Sequence, residues 1–447
     1  MFKLGYAPSD LNEFKLSYLR YYNLTQEPSN PASNDVGIGT NGMRLRERSQ
    51  DEVVGSWKFR DSDRSWFDGK VSAYFTDYKS DQEGRYAVGT NLESTYNVTT
   101  TGASAQNSTR FSTSDIDHRL TYGIDGYQDL LKNTSAGSSS GVNPDGNMLS
   151  MGAFLQDEVQ LAQDWQLIAT LRHDRYQAEA TSYDANKNDR FSPKLALKWQ
   201  ALKPLGLFAS YGEAFRAPTL TELYMANYLT SSFMQFRPNS TLEPEVSRSK
   251  EIGMTLAFDD ILAKNDAFRF KINRFDEKVK NLIYQATVGG YARTAAPFGT
   301  GNILQYQNVP HGLRVGTEME STYRIGDWNF NLAYSRLRVA NRDNSNSLLS
   351  PPDKFVYGAS YFVDEYWSLR YAGNYVFDQS YDTTEDRRRK AYSVHDIGTA
   401  YDRDWYRLDF SISNLFDRAY ASYGQSLATS RIYEEGRSYN LFFTAKF

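Results

Sequence analysis

At roughly 150 residues per domain, 447 residues suggest about three domains, a prior that large β-barrels break. Aromatic residues make up 15% of the chain and hydrophobics only 40%, a Tyr-, Gly- and Asn/Ser/Thr-rich mixture that suits pleated strands and disfavours long helices. Zero cysteines exclude disulfides, Cys-based metal sites and thiol nucleophiles, and a formal charge of -4 with basic and acidic residues interleaved excludes a general nucleic-acid binder.

Met1 to Ala7 is too short and too polar for a signal peptide, so the chain is expected to be cytosolic, already processed or cut from something longer. No segment approaches the roughly 18 apolar residues of a membrane helix. Phe2 to Ala7 reads as a first strand. Gly37-Ile38-Gly39-Thr40-Asn41-Gly42 matches the G-x-G-x-x-G of a dinucleotide site. That fingerprint needs a buried strand before it and a helix behind it; Ser29 to Val36 is polar and Met43 to Glu52 charged, so it reads as a loop. Further on, Trp165, Leu167, Ala169 and Leu171 alternate with Gln166, Thr170 and Arg172, with Ile168 the exception. A period of two makes a strand with two unlike faces. Trp328, Phe330, Leu332 and Tyr334 repeat the pattern, as do Tyr406, Leu408, Phe410 and Ile412. Runs of about ten residues with aromatic ends exceed ordinary sandwich strands and fit strands that cross a bilayer.

The connections sharpen this expectation, because outer-membrane barrels alternate short periplasmic turns with long outer loops. Short polar turns are expected near Pro8 to Asn12, Asp61 to Arg64, Ser114 to Asp117, Ala162 to Asp164, Leu202 to Leu205, Asp259 to Asn265, Gly326 to Asp327, Asp364 to Tyr366 and Asp402 to Asp404. Long polar stretches lie between them, among them Asn23 to Gln50, Ser80 to Ala103, Pro218 to Glu245 and Ala286 to Gly301. The fold expected is all-β, a transmembrane antiparallel β-barrel with about nineteen strands visible. An odd count points to a barrel of about 22 strands, a size at which barrels carry a plug, whose first strands and anything before them are absent. The alternative is a miscounted strand in Ser80 to Thr113. Residues 1–447 are thus expected to be one outer-membrane barrel domain, partial at its N-terminus. Tyr439, Leu441, Phe443, Ala445 and Phe447 share one parity, as the closing strand of such a barrel would.

Phe215-Arg216-Ala217-Pro218-Thr219, then Glu222-Leu223-Tyr224, then Pro238-Asn239-Ser240-Thr241-Leu242-Glu243-Pro244-Glu245 resembles the paired FRAP and NPNL motifs of TonB-dependent outer-membrane receptors, most closely the haem, haemoglobin and haemophore branch. Ser192-Pro193-Lys194-Leu195, Gly316-Thr317-Glu318 and Asn414 to Tyr420 (NLFDRAY) add to the likeness over residues 190 to 447. The resemblance implies an outer-membrane location among lipid and lipopolysaccharide, and loops that capture haem or a haem-carrier protein. It also implies import energised by the TonB complex acting on an N-terminal region that this chain lacks. Haem is then a transported ligand, no cofactor is permanently bound, and no nucleic acid is a partner. A ferric-siderophore receptor of the same family and a passive porin-like channel are the alternatives.

Two departures stand out. The second motif carries Ser240 and Thr241 as extra residues before Leu242, with Arg237 at its usual first Asn, and residues 219 to 245 contain no histidine. Pro218 drives the strand leaving at Ala217 into a loop, and Pro238 acts on the returning side. The motif residues Phe215, Arg216, Ala217, Pro218, Pro238, Asn239 and Leu242 are therefore either barrel-shaping or ligand-contacting. Haem iron accepts His, Met or Tyr, which makes Tyr224, Tyr228, Met225, Met234, His311 and His395 candidates. His118 is expected to be solvated beside a turn, and His173 to sit on the apolar parity of its strand. Arg387-Arg388-Arg389-Lys390 reads as a charged loop rim. No G-x-S-x-G, H-E-x-x-H or paired-His spacing points to an enzyme, and no metal site is assigned.

Overall fold

The computed structural model describes residues 1–28, 43–61, 63–85, 92–135, 138–139, 144–226, 228, 234–294, 299–341, 350–379, 390–421 and 433–446. The Gly37 to Gly42 match, the Arg387 to Arg389 run and Phe447 lie outside them. The strands in chain order are β1 (Phe2–Ser9), β2 (Asn12–Pro28), β3 (Met43–Arg60), β4 (Asp68–Arg85), β5 (Leu92–Thr113), β6 (Ile116–Ser135), β7 (Ser138–Ser139), β8 (Gly146–Ala162), β9 (Trp165–Ala180), β10 (Asn186–Leu202) and β11 (Leu205–Arg216). After a short helix α1 (Leu220–Tyr224) come β12 (Met234–Arg237), β13 (Glu245–Asp259), β14 (Ala267–Ala292), β15 (Thr300–Ile325), β16 (Trp328–Asn341), β17 (Lys354–Phe362), β18 (Trp367–Val376), β19 (Tyr392–Asp402), β20 (Tyr406–Ser413) and β21 (Ser438–Ala445). Setting aside the two-residue β7 and the four-residue β12 leaves nineteen long strands among the described residues, the number the alternation predicts.

The chain groups into two compact units, Met1–Leu195 with Gly212–Arg248 and Val279–Pro310, and Ala196–Tyr211 with Ser249–Lys278 and His311–Phe447. In the first, β1 to β6, β8 and β9 pair antiparallel in succession. Their two faces differ as a period of two demands. Ile124, Leu149, Met151, Leu155 and Leu171 stand exposed on one, while Asp125, Asp129, Arg172 and Asp174 take the alternate positions. Exposed apolar side chains in such rows are what a lipid-facing sheet needs.

In the second unit, β15 to β21 form a like ladder. Trp328 pairs with Tyr361, Phe330 with Ala359 and Leu332 with Tyr357, and Leu408 with Phe443 and Phe410 with Leu441. Trp328 sits 4.7 Å from Tyr361 and 5.6 Å from Phe330, ring to ring, the aromatic ends expected of these strands.

All nine short turns fall where expected. The long stretches are shorter than expected, because strands continue through them. β4 and β5 stay paired out to Gly84 and Leu92, inside the expected loop Ser80 to Ala103. Thr95 donates to Asp81 at 2.7 Å and Thr99 to Asp77 at 2.8 Å. Polar residues occupy both faces there, so the ladder goes on while the alternation that reveals it does not.

Candidate functional site

The motif region builds a corner within the first unit. β11 ends at Arg216, and Pro218, which lacks an N–H and is almost fully buried, turns the chain. Thr219 then caps α1. Its hydroxyl accepts from the Glu222 N–H at 3.2 Å, and Glu222 accepts from the Thr219 N–H at 2.8 Å, a reciprocal box that satisfies two orphan donors. A helix of five residues is too short to persist on its propensity. Burial holds it: Leu220, Leu223 and Tyr224 pack among Leu131, Met148, Tyr176, Ala178, Leu242 and Ile283.

Tyr224 is the centre of this small core. It is completely buried, its hydroxyl lies 2.9 Å from the Ala178 carbonyl and 3.0 Å from that of Asp184, and its ring stacks on Tyr183 at 5.6 Å. The Tyr176 hydroxyl donates to Asn186, whose amide donates onward to the carbonyls of Ser240 and Leu242 at 2.8 and 2.9 Å. On the returning side the Asn239 N–H reaches the Leu223 carbonyl at 2.7 Å, and its side chain donates to the Tyr306 carbonyl at 2.9 Å. Gln305 donates to the Pro238 carbonyl at 2.9 Å, and β12 lies parallel against β15. Asn308 accepts from the Glu243 N–H and donates to its carbonyl, both at 2.8 Å.

Arg216 ties the corner's beginning to its end. Its guanidinium donates to Glu245 at 2.6 and 2.9 Å and to Glu222 at 2.9 and 3.2 Å. Glu245 also accepts from the buried Ile283 N–H at 2.9 Å. One planar cation thus bridges the strand exit, the helix start and the next strand, a geometry that lysine cannot reproduce.

Below the corner is a cavity of about 430 Å³, within the size range of small-molecule sites. Phe215, Arg216, Ala217, Thr219, Leu220 and Thr221 form one side, and Tyr96, Val98, Tyr127, Asp129, Leu131, Met148, Ser150 and Asp174 the other. Asp129 accepts from Thr100 at 2.7 Å. Asp174 accepts from Arg172 at 2.8 Å, and Arg172 also makes a two-pronged contact with Asp125 at 2.7 and 2.9 Å. Gly152 gives that guanidinium its room, since a Cβ there would stand 2.0 Å from it.

The expected residues therefore separate. Phe215, Arg216 and Ala217 line the cavity. Pro218 and Leu242 are buried, and Pro238 and Asn239 fasten the return. The expectation that Tyr224 can serve as an iron ligand is corrected, because the side chain is buried and its hydroxyl is held by two carbonyls. Tyr228 and Met234 are exposed. His311 and His395 belong to the second unit. His395 shares the apolar face with Ile397 and, through their pairing, with Tyr371 and Leu369; its ring bonds the Tyr371 hydroxyl at 2.7 Å and meets Phe416 edge-on at 5.2 Å. His118, expected in solvent, instead bonds Asp157 at 2.8 Å and stacks on Phe111 at 4.8 Å. His173 lies on the apolar face as expected, 3.1 Å from Asp189.

Sequence reasoning missed α1 and the opposite wall of the cavity. Thr219-x-x-Glu222 before Leu223 and Tyr224 is a capping-box signature that could have revealed the helix. Nothing local marks Tyr96, Tyr127, Asp129 or Asp174, because strand pairing alone brings them beneath the corner.

A family model described as TonB dependent receptor-like, beta-barrel, matches residues 3–415. A hemin receptor of Yersinia enterocolitica is 26% identical over 430 residues, 90% of this chain and 60% of the relative. A hemin receptor of Yersinia pestis is 28% identical over 344 residues, 74% of this chain and 48% of the relative. The heme/hemopexin utilization protein C of Haemophilus influenzae is 26% identical across 72% of this chain and 48% of its own length. The chain thus spans about half to three-fifths of the curated relatives it matches. Among solved structures, a double mutant of the Serratia marcescens hemophore receptor HasR in complex with its hemophore HasA and heme aligns with a TM-score of 0.73 at 20% identity, over 95% of this chain and 69% of that one. The copper transporter OprC aligns with a TM-score of 0.74 at 16% identity, over 99% and 70%. At these identities the two structures speak for the fold alone.

Proposed function

The chain belongs to the TonB-dependent receptor β-barrel family, and on that footing we propose that it is the barrel portion of an outer-membrane uptake receptor whose cargo is haem or haem handed over by a carrier protein. The family is one of transport receptors. The names of the curated relatives, two hemin receptors and a heme/hemopexin utilization protein, support haem as the cargo. The observation that carries the reading within this chain is the cavity beneath α1. Its Val98, Leu131, Met148, Phe215 and Leu220 offer apolar surface to a macrocycle, and Tyr96 and Tyr127 offer flat rings to stack on it. Asp129 and Asp174 repel carboxylates, so a haem entering here would keep its propionate edge turned away from them.

No bond is made or broken in this scheme. The outer loops capture the cargo, and the Arg216–Glu222–Glu245 bridge keeps α1 over the cavity. Release follows when the TonB complex acts on an N-terminal plug belonging to the whole protein.

Haem titration of the full-length receptor, followed by the Soret band, tests the reading. A saturable shift is expected, weakened roughly tenfold in Ser150→Trp, which narrows the cavity, and unchanged in His395→Ala. Absence of a shift together with saturable binding of a ferric siderophore moves the assignment to the siderophore class. Steady ion conductance by the ligand-free full-length receptor makes it a porin.

A further inference from the structure

The apolar face of the first unit carries a trough that the uptake cycle does not use. One transverse row of cross-strand partners runs Leu16, Gly55, Ala73, Ala103, Gly126, Met151 and Arg175, from β2 to β9. Its middle members are small, so the wall is recessed there. Two apolar cavities of about 680 and 580 Å³ lie along it and share Ala103, Gly126 and Met151, which makes the recess continuous. Larger residues bank it on both sides, Val53 and Phe75 on one and Val71 and Ile124 on the other.

The trough is closed at one end by charge. Moving along each strand toward the long loops, the first charged residue of the apolar parity is Asp51 in β3, four residues beyond Gly55, and Asp77 in β4, four beyond Ala73. In β9 it is Arg175 itself. The row therefore starts well within the apolar band and reaches the polar boundary at β9. Arg175 is exposed there, and no carboxylate partners it among the described residues. Six strands spaced about 4.8 Å apart make the recess from β3 to β9 about 24 Å long. With strands tilted about 45°, the row covers about 17 Å of depth, close to the roughly 15 Å of one leaflet's hydrocarbon.

We infer that this trough is a lipid site, seating an acyl chain of lipopolysaccharide along the Gly55-to-Met151 row with a lipid phosphate on Arg175. The inference rests on the family's barrel and not on the cargo. The charged end lies on the long-loop side, which in such barrels faces the outer leaflet. A guanidinium fits phosphate oxygens with two parallel hydrogen bonds. An acyl chain gains no hydrophobic free energy on leaving lipid for protein, so selectivity must come from close packing in the recess together with this ion pair.

Native mass spectrometry of the full-length receptor, purified in detergent and exposed to lipopolysaccharide or phosphatidylglycerol, tests it by counting retained lipid. Gly55→Leu fills the trough without a clash, since a Cβ there meets nothing within 4 Å. Gly5→Leu is the control, equally open and on the opposite parity. One retained lipopolysaccharide is expected in the wild type and in Gly5→Leu. A roughly tenfold loss of retention is expected in Gly55→Leu, and a roughly three- to fivefold loss in Arg175→Gln. Equal retention in all four proteins would mean annular lipid only and overturn the site. Preferential retention of phosphatidylglycerol, or a second copy of the chain in place of lipid, overturns the occupant. Haem titration of the same variants keeps this outcome separate from the cargo, because none of the three residues lines the cavity beneath α1.

Discussion

The corner around Tyr224 and the turn around Asp266 solve one problem by opposite means. Both must carry the backbone between neighbouring strands without leaving buried polar groups unsatisfied. The turn between β13 and β14 does it locally. Asp266, only 1% exposed, accepts the N–H groups of Ile261, Leu262 and Ala263 at 2.7, 2.7 and 3.0 Å and the Tyr323 hydroxyl at 2.7 Å. Asp260 and Asn265 take the left-handed backbone there with φ of 58° and 67°, a conformation these residue types tolerate. The corner draws instead on β6, β8, β9, α1 and β14 for one core, and on Arg216 for a bridge to Glu222 and Glu245. A turn of this kind stands or falls with one side chain, whereas the corner depends on segments more than a hundred residues apart.

Breaking the corner at its centre should have the largest effect. Tyr224→Ala is expected to cost roughly 3–5 kcal/mol, as for other buried aromatic truncations. It should also open residues 218 to 245 to protease while the strand ladders persist in circular dichroism. If the ladder and the corner melt together, the corner is not a separable core. Arg216→Met should come next, at roughly 2–3 kcal/mol, because Glu245 is left buried without its cation. The guanidinium is itself 42% exposed, which keeps the figure below that of a fully buried pair. Equilibrium denaturation in detergent measures it, and Arg216→Lys should recover only part.

Asp266→Asn should act in the turn alone and only above acid pH. Burial pushes the Asp266 carboxyl up, but the Tyr323 hydroxyl and the three backbone donors outweigh it and hold it at about 2, against an ordinary 3.8. A lowered carboxyl contributes its stability fully above the ordinary value and loses it as pH falls toward about 2. Amide exchange of Ile261, Leu262 and Ala263 should therefore be faster in Asp266→Asn than in the wild type at neutral pH, with the gap closing toward about pH 2. A gap of constant size across that range would remove the carboxylate from the account.

The same contrast explains what could be read in the chain. The nine turns were legible because Asp, Asn, Gly or Pro sits at each bend and period-two runs flank them. The strand faces were legible from runs such as Trp328 to Tyr334. The paired motifs of residues 215 to 245 were legible as a strand-to-loop corner, but their division of labour was not. Phe215 and Ala217 border the cavity while Pro218, Leu242 and Tyr224 vanish into the core, although all belong to one short stretch of similar residues.

By itself, then, the order of residues determined the alternating faces, the strand number and the placing of the short connections, since each follows from interactions between near neighbours. Only the tertiary structure decided which strands pass beneath the corner, that Tyr96, Tyr127, Asp129 and Asp174 share a cavity with Phe215, and that Tyr224 and His395 are both occupied by partners. Those outcomes depend on sheet register, where side chains meet because backbones pair across long loops, and no local pattern encodes that pairing.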